Sequence, residues 1–173
     1  MSTVLSPFEH SYWYGRRVLV TGHTGFKGGW LTIWLAQLGC KVTGLSLKPA
    51  TNPALFQIGN ISELCESHFV DIRDAKKVID VVEKVQPEVV FHLAAQALVS
   101  QGYRDPINTF LTNTMGTANI LEAARVTSSV KAMVMVTTDK VYRNYADSNP
   151  FKEDDTLGGH DPYGASKAAS ELI

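Results

Sequence analysis

The sequence predicts an α/β fold built on a doubly wound parallel sheet. Two observations point to it. Strand-like and helix-like segments alternate five times along the 173 residues. The strand-like segments are unbroken apolar runs, which ask for burial on both faces and hence helices on both sides of a sheet. The strand order expected of such a chain is 3-2-1-4-5.

Residues 17–21 (RVLVT) form a β-branched run that ends in a glycine-rich turn. A helix is expected over 27–38, where Trp30, Ile33, Trp34 and Leu38 recur at i, i+3, i+4 and i+8. Gly39 follows as its C′ residue. Residues 41–47 (KVTGLSL) read as the second strand, and 48–59, with two prolines, as a loop. A short third strand over 67–70 (SHFV) ends at Asp71. Asp74 is placed to cap a helix over 75–85, whose Val78, Val81, Val82 and Val85 share one face. Pro87 ends that helix, and 88–93 (EVVFHL) is the fourth strand. A long helix is predicted over 106–125, with Pro106 in its first turn, followed by a fifth strand over 130–136. A polar loop, 143–161, leads to a last helix near Pro162. No sixth strand follows to receive that helix. The chain therefore reads as the N-terminal part of a longer protein: a segment 1–15, then an incomplete dinucleotide-binding domain over 16–173 without its C-terminal strands and substrate domain.

Composition narrows the function. Sixteen basic and 17 acidic residues leave a net charge of −1, which offers no electrostatic case for nucleic acid or an anionic membrane. No apolar run is long enough to span a bilayer, and the first 17 residues show no basic stretch followed by an apolar one. A soluble cytoplasmic domain is expected. Cys40 and Cys65 have neither metal nor redox spacing and are expected to be small buried fillers, so no metal site is predicted.

TGHTGFKG, residues 21–28, joins the first strand to the first helix. Gly22, Gly25 and Gly28 let the backbone turn tightly and approach a pyrophosphate, and the helix N-terminus then offers free N–H groups. This strand–turn–helix setting marks a Rossmann-like dinucleotide site and brings His23, Thr24, Phe26 and Lys27 into the cradle. Lys27 either neutralises phosphate charge or is a solvated lysine; a catalytic role for His23 is not expected. Asp71 and Ile72, after the third strand, either meet the adenine or begin the next turn. An acid about 20 residues beyond the glycines would bind the ribose hydroxyls and select NAD. The chain has Ser46, Leu47 and Lys48 there, which by themselves lean to NADP.

YGASK, residues 163–167, puts Tyr163 and Lys167 four apart on one helix face. A phenol has a pKa of about 10, and a cation held nearby favours the phenolate, a base closer to working pH. Sites of open α/β sheets lie beyond the carboxyl ends of strands, which delivers Thr138 from the fifth strand to the same place. Thr138 then hydrogen-bonds the hydroxyl that Tyr163 deprotonates. A simple alcohol dehydrogenase needs no more. Asp139 and Lys140 add a second acid–base pair, unless they are only an exposed ion pair capping the strand.

These motifs, with DIR (71–73), HLAAQ (92–96), TNTMGT (112–117) and LGGHDPYGASKAASE (157–171), resemble the extended short-chain dehydrogenase/reductase family, specifically its sugar-nucleotide 4,6-dehydratases. Many of these carry Asp-Glu after the threonine. Asp139-Lys140, with GHTGFKG and AAQ, is most similar to the members that act on CDP-glucose.

The resemblance implies a sequence of steps: oxidation of the sugar at C4 with Tyr163 as base, loss of the C5 proton and of water from C6 with Asp139 as acid, and hydride return to C6. It places Leu93, Ala94, Ala95 and Gln96 against the cofactor, and Asn113 in a proton-relay or helix-spacing role; ordinary helix packing is the alternative for Asn113. Lys167 binds the nicotinamide ribose as well as tuning Tyr163. The cofactor the family retains is NAD, which outweighs the residue-level lean to NADP. Lys140 stands where relatives have a glutamate base, so it either loses its proton in a desolvated site or orients another group. Ala97, Ser100 and Gly102 depart from the family pattern, so contacts made there by relatives are not carried over; Tyr103 is left to stack near the ligand.

A homo-oligomer, dimer or tetramer, is implied, with helix 106–125 and the helix after Pro162 as its surfaces. An epimerase or reductase of the same family, and a non-catalytic NAD-binding fragment, are the alternatives. For these 173 residues alone, weak cofactor binding, no turnover and a tendency to associate through apolar surface on the last helix and fifth strand are expected.

Overall fold

In the computed structural model, residues 11–144 and 150–173 are described. Most of the expected N-terminal segment and the middle of the 143–161 loop lie outside them. Five strands form one parallel sheet: β1 (Arg17–Thr21), β2 (Lys41–Ser46), β3 (Glu66–Phe69), β4 (Val89–His92) and β5 (Ala132–Met135). Their order is β3-β2-β1-β4-β5, as expected from the doubly wound pattern.

Alternate residues of the strands feed two cores. Leu19, Leu45 and Val90 pack with Val78, Val81 and Val82 of α3 (Ala75–Val85) and with Ile120 and Ala123 of α6 (Gly116–Val126). Val18, Val20, Val42 and Val89 pack on the other face with Leu35 of α1 (Phe26–Gln37), Trp13 and both cysteines. Burial raises both thiol pKa values. The unbroken apolar runs mean two-sided burial only for β1, β2 and β4. At the sheet edges β3 and β5 are half-covered, and Val134 stands exposed.

Helix α1 forms where its periodicity predicts but does not bury its tryptophans. Trp30 and Trp34 are each 53% exposed, while Gly28, Gly29, Thr32 and Leu35 face the sheet. The reason is space. A Cβ on Gly29 would come within 2.8 Å of Ile61 Cδ1, so only glycine fits at that position. The short helix α2 (Leu55–Ile58) and the turn Ile61–Glu63 fill the gap beside it.

Asp74 caps α3 by accepting a hydrogen bond from Lys77 N at 3.2 Å. The helix expected over 106–125 is composite: α5 (Pro106–Phe110), a π-helical turn (Leu111–Met115), then α6. A further short helix, α4 (Val99–Arg104), precedes it where no helix was expected. The last helix, α7 (Pro162–Glu171), is capped by Asp161, whose carboxylate accepts from Tyr163 N and Gly164 N.

Two histidines lie in the interior. His92, at the end of β4, links Thr21 (Nδ1 to Oγ1, 2.7 Å) and Thr117 (Nε2 to Oγ1, 3.1 Å). Thr21 Oγ1 also accepts from Leu93 N and Ala94 N. With both lone pairs used, the Thr21 proton goes to His92 Nδ1, so the imidazole carries its own proton on Nε2 and donates it to Thr117. His23 packs between Phe56 and Phe69 with Nε2 3.0 Å from Ser67 Oγ.

Burial holds both imidazoles neutral: His92 is lowered to about 3, and His23 to about 4 with a further contribution from nearby His68. Unfolded, both would take up a proton near pH 6.5. Between about pH 6.5 and 4 the unfolded chain therefore binds up to two more protons than the folded one. Stability should fall as pH falls, with a limiting slope of about 2.7 kcal/mol per pH unit for two groups. Urea unfolding at pH 7, 6 and 5 checks this; equal stability across that range would contradict the buried, neutral state of both rings.

Candidate active site

The glycine turn is built by close backbone approach. Gly22 has φ +78°, and a Cβ on it would stand 2.9 Å from Ala94 N. A Cβ on Gly28 would lie 2.1 Å from Gly22 O, so no side chain fits there. Gly25 forms the N-cap of α1 without a capping side chain, and Gly29 N returns to Gly25 O at 2.8 Å. The first N–H groups of α1 are thus left for an anion. Thr24 ties this turn to the end of β2: its hydroxyl lies 2.7 Å from Ser46 Oγ and donates to Leu47 O at 2.9 Å.

A cleft of about 930 Å³ runs from this turn across the carboxyl ends of the strands. Gly22, Thr24, Gly25, Phe26, Lys27 and Gly28 line one end, together with Ser46, Asp71 and Ile72. Leu93, Ala94, Ala95 and Gln96 form its floor beyond β4, and Val136, Thr137, Tyr163 and Lys167 its far end. One cleft therefore joins the two motifs that lie farthest apart in the sequence.

Two expected cofactor residues lie behind the cleft rather than in it. His23 turns beneath the cradle toward β2 and β3, as described above. Asn113 is fully buried in the π-helical turn. Its Oδ1 accepts from Gln96 N (2.8 Å), and its Nδ2 donates to Gln96 O (3.0 Å) and Ser166 Oγ (2.9 Å). Asn113 thus fastens the cleft floor to α7.

Lys167 is only 4% exposed, and its ammonium donates to Val136 O at 2.9 Å. Burial lowers its pKa, opposed by the Glu171 carboxylate one turn on. Glu171 in turn accepts from the Thr137 hydroxyl. Thr138, Asp139 and Lys140 do not line the cleft; they follow Thr137 directly. The Thr138 hydroxyl caps a tight turn (Asp139–Val141) and donates to Asp139 Oδ1 at 3.1 Å. That turn packs on α7 so closely that a Cβ on Gly164 would be 2.9 Å from Lys140 O. Asp139 and Lys140 are exposed and form no ion pair with one another.

Arg73 is a cleft residue that the sequence pattern did not single out. Its Nε lies 3.0 Å from both Asp71 carboxylate oxygens, and its Nη1 donates to Asn108 Oδ1. These bonds hold the Asp71 pKa below the usual carboxylate range. The signal was present in the tripeptide DIR, an acid with a cation two residues on. The loop segment 50–55, which also lines the cleft, carries no such mark.

The model of the GDP-mannose 4,6 dehydratase family matches residues 19–173. The chain belongs to this family. Among its relatives is a CDP-glucose 4,6-dehydratase of Salmonella typhimurium, 45% identical over 95% of this chain and 46% of that protein. The structure also matches solved UDP-glucose 4-epimerases. The Thermotoga maritima enzyme has a TM-score of 0.80 at 27% identity, over 90% of this chain and 49% of that one. The Thermus thermophilus enzyme in complex with NAD has a TM-score of 0.79 at 31% identity, over 90% and 49%. The chain spans about half the length of these proteins.

The residues of this GDP-mannose 4,6 dehydratase family member fit a dinucleotide. The volume of the cleft suits one, and its glycine end leaves room only for backbone. Gly28→Ala should therefore distort the turn itself, whereas Gly25, whose added Cβ would meet only Gly22 O at 3.3 Å, should tolerate alanine better. Gly28→Ala is expected to lose about 1–3 kcal/mol of stability, the usual range for overpacking, and to abolish dinucleotide binding. Thermal melts and calorimetric titration of both variants check the contrast.

Proposed function

We propose that this chain carries the cofactor-binding and proton-transferring residues of an NAD-dependent nucleotide-sugar 4,6-dehydratase, which converts CDP-glucose to CDP-4-keto-6-deoxyglucose. The observation that carries this reading is the single cleft joining the glycine turn to Tyr163, Lys167 and the end of β5. The Salmonella relative supports the choice of substrate.

Held along the glycine turn and the 93–96 floor, NAD would supply reversible hydride transfer, from C4 of the sugar and back to C6, with no net change in its oxidation state. The protein manages the protons. Tyr163 takes the 4-hydroxyl proton as general base, with Lys167 one turn away on α7. Lys167 is oriented by Val136 O. Thr138 donates to Asp139 Oδ1 in the structure; rotation of its hydroxyl would let it donate instead to the oxygen of the same sugar hydroxyl, whose one proton goes to Tyr163. The 4-keto group acidifies the C5 proton, and its loss expels the 6-hydroxyl as water with Asp139 as acid. Lys140 either takes the C5 proton or orients the group that does, and that proton returns to C5 as C6 is reduced.

Exposed Ile107, Phe110, Leu111 and Met115 along the α5–α6 helix support a homo-oligomer packed through that helix.

The full-length protein, given CDP-glucose and NAD, should form a 4-keto product, with UDP-glucose and dTDP-glucose turned over poorly. Reaction with either of these and not with CDP-glucose would refute the substrate. A C4 epimer formed without loss of water would favour the epimerase reading. Tyr163→Phe should lower kcat by about 10²–10⁴, the usual worth of a positioned acid–base group. For Lys140, retained activity in Lys140→Glu with loss in Lys140→Met marks a base; loss in both marks an orienting cation.

A further inference from the structure

We infer that the outward face of α1 is an interface with a second copy of this chain, two such helices packing antiparallel across a two-fold axis near Trp30. This surface is separate from the α5–α6 helix and does not depend on the reaction proposed above. The sequence of α1, FKGGWLTIWLAQ, is apolar on both sides. Its polar side chains are Lys27, Thr32 and Gln37, and Thr32 is buried. A helix apolar all round belongs in an interior. Helix α3 shows what a water-facing helix of this protein carries instead: Lys76, Lys77, Asp80, Glu83 and Lys84 are all exposed. On the outward face of α1, Phe26 is 72% exposed and Trp30 and Trp34 are each 53% exposed. Spaced four apart, they form one continuous row. Aromatic side chains present about 150–250 Å² each, so the row leaves about 300–450 Å² of apolar surface in water. That rivals the largest patch of an ordinary monomer. It is also about half of the ~800 Å² per partner that a stable interface buries. Exposed Ile58, on α2 beside α1, extends it.

A second copy is the occupant that this row fits. The row is symmetric about Trp30, with one aromatic ring a turn to either side. A two-fold interface must be self-complementary, and rows of this spacing interdigitate between helices. In an antiparallel pair Trp30 meets its own counterpart, and each Phe26 meets the Trp34 of the other copy. Charge is complementary as well. Helix α1 has no acidic residue, and Lys27 in its first turn forms no ion pair among the described residues. Antiparallel pairing brings that ammonium to the negative, C-terminal end of the other helix.

Sedimentation equilibrium of the purified full-length protein tests this. Trp30→Glu sets two like charges against each other at the axis and should halve the particle mass; Trp30→Lys should do the same. Mixing the two variants should restore the wild-type mass, because opposite charges then meet. Trp30→Cys, which adds no charge, should link two subunits through a disulfide under mild oxidation. A particle mass unchanged in both charge variants, or not restored on mixing, overturns the inference. If neither charge variant stays soluble, the cross-link decides. Its formation supports the second copy; its absence means that the row is covered by another part of the same protein, and overturns the inference.

Discussion

The hydroxyl of Thr21 is the point on which the site depends. It sits at the end of β1, where the glycine turn begins, and receives the N–H groups of Leu93 and Ala94 just past β4. Its proton is spent on His92, which passes the link to Thr117 on α6. Three elements are thereby held at one depth. Because Gly22 lies against Ala94 with no space for a side chain, any shift of the β4 end would close or distort the turn. The link also explains why a histidine at that position must stay neutral: a protonated ring could not accept from Thr21.

A second set of bonds brings the far end of the cleft into place. Helix α7 carries Tyr163 and Lys167 but contributes no strand, so it must be fastened from outside. Asp161 caps it, Asn113 and Thr114 bond to Ser166, and Lys167 and Glu171 reach back to Val136 and Thr137. The π-helical turn makes the Asn113 link possible, since it falls where one helix turns toward both the cleft floor and α7. Lys167 thereby joins α7 to the end of β5.

Electrostatics distinguishes the two ends of this cleft. At the tyrosine end the Lys167 ammonium is buried and directed by a backbone carbonyl, so its charge is little screened. At the other end, around the glycine turn and the end of β2, the lining lysines are exposed. The Asp71–Arg73 pair is partly exposed, so its worth to stability is small; among the described residues Asp71 is the one acid in the lining, and Arg73 pairs with it.

Much of the fold was legible because buried parallel strands and their helices follow simple rules of periodicity and capping. The five strands, their order, the Asp74 cap and the Gly39 end of α1 are all local consequences of residue type. So were the glycine turn and the one-turn spacing of Tyr163 and Lys167, which a turn and a helix fix locally. Other features were not local. Which face of α1 is buried was not: Ile61 and Leu55 leave room only for glycine at position 29, Thr32 and Leu35 are buried, and Trp30 and Trp34 stay outward. The direction of His23, the burial of Asn113 and the entry of Arg73 into the cleft depend on neighbours 35 or more residues distant from at least one partner. Residue type and spacing determine what a segment can form and what chemistry it can offer. Which side chains meet is a matter of free volume and of long-range hydrogen bonding, and these exist only once the sheet has assembled.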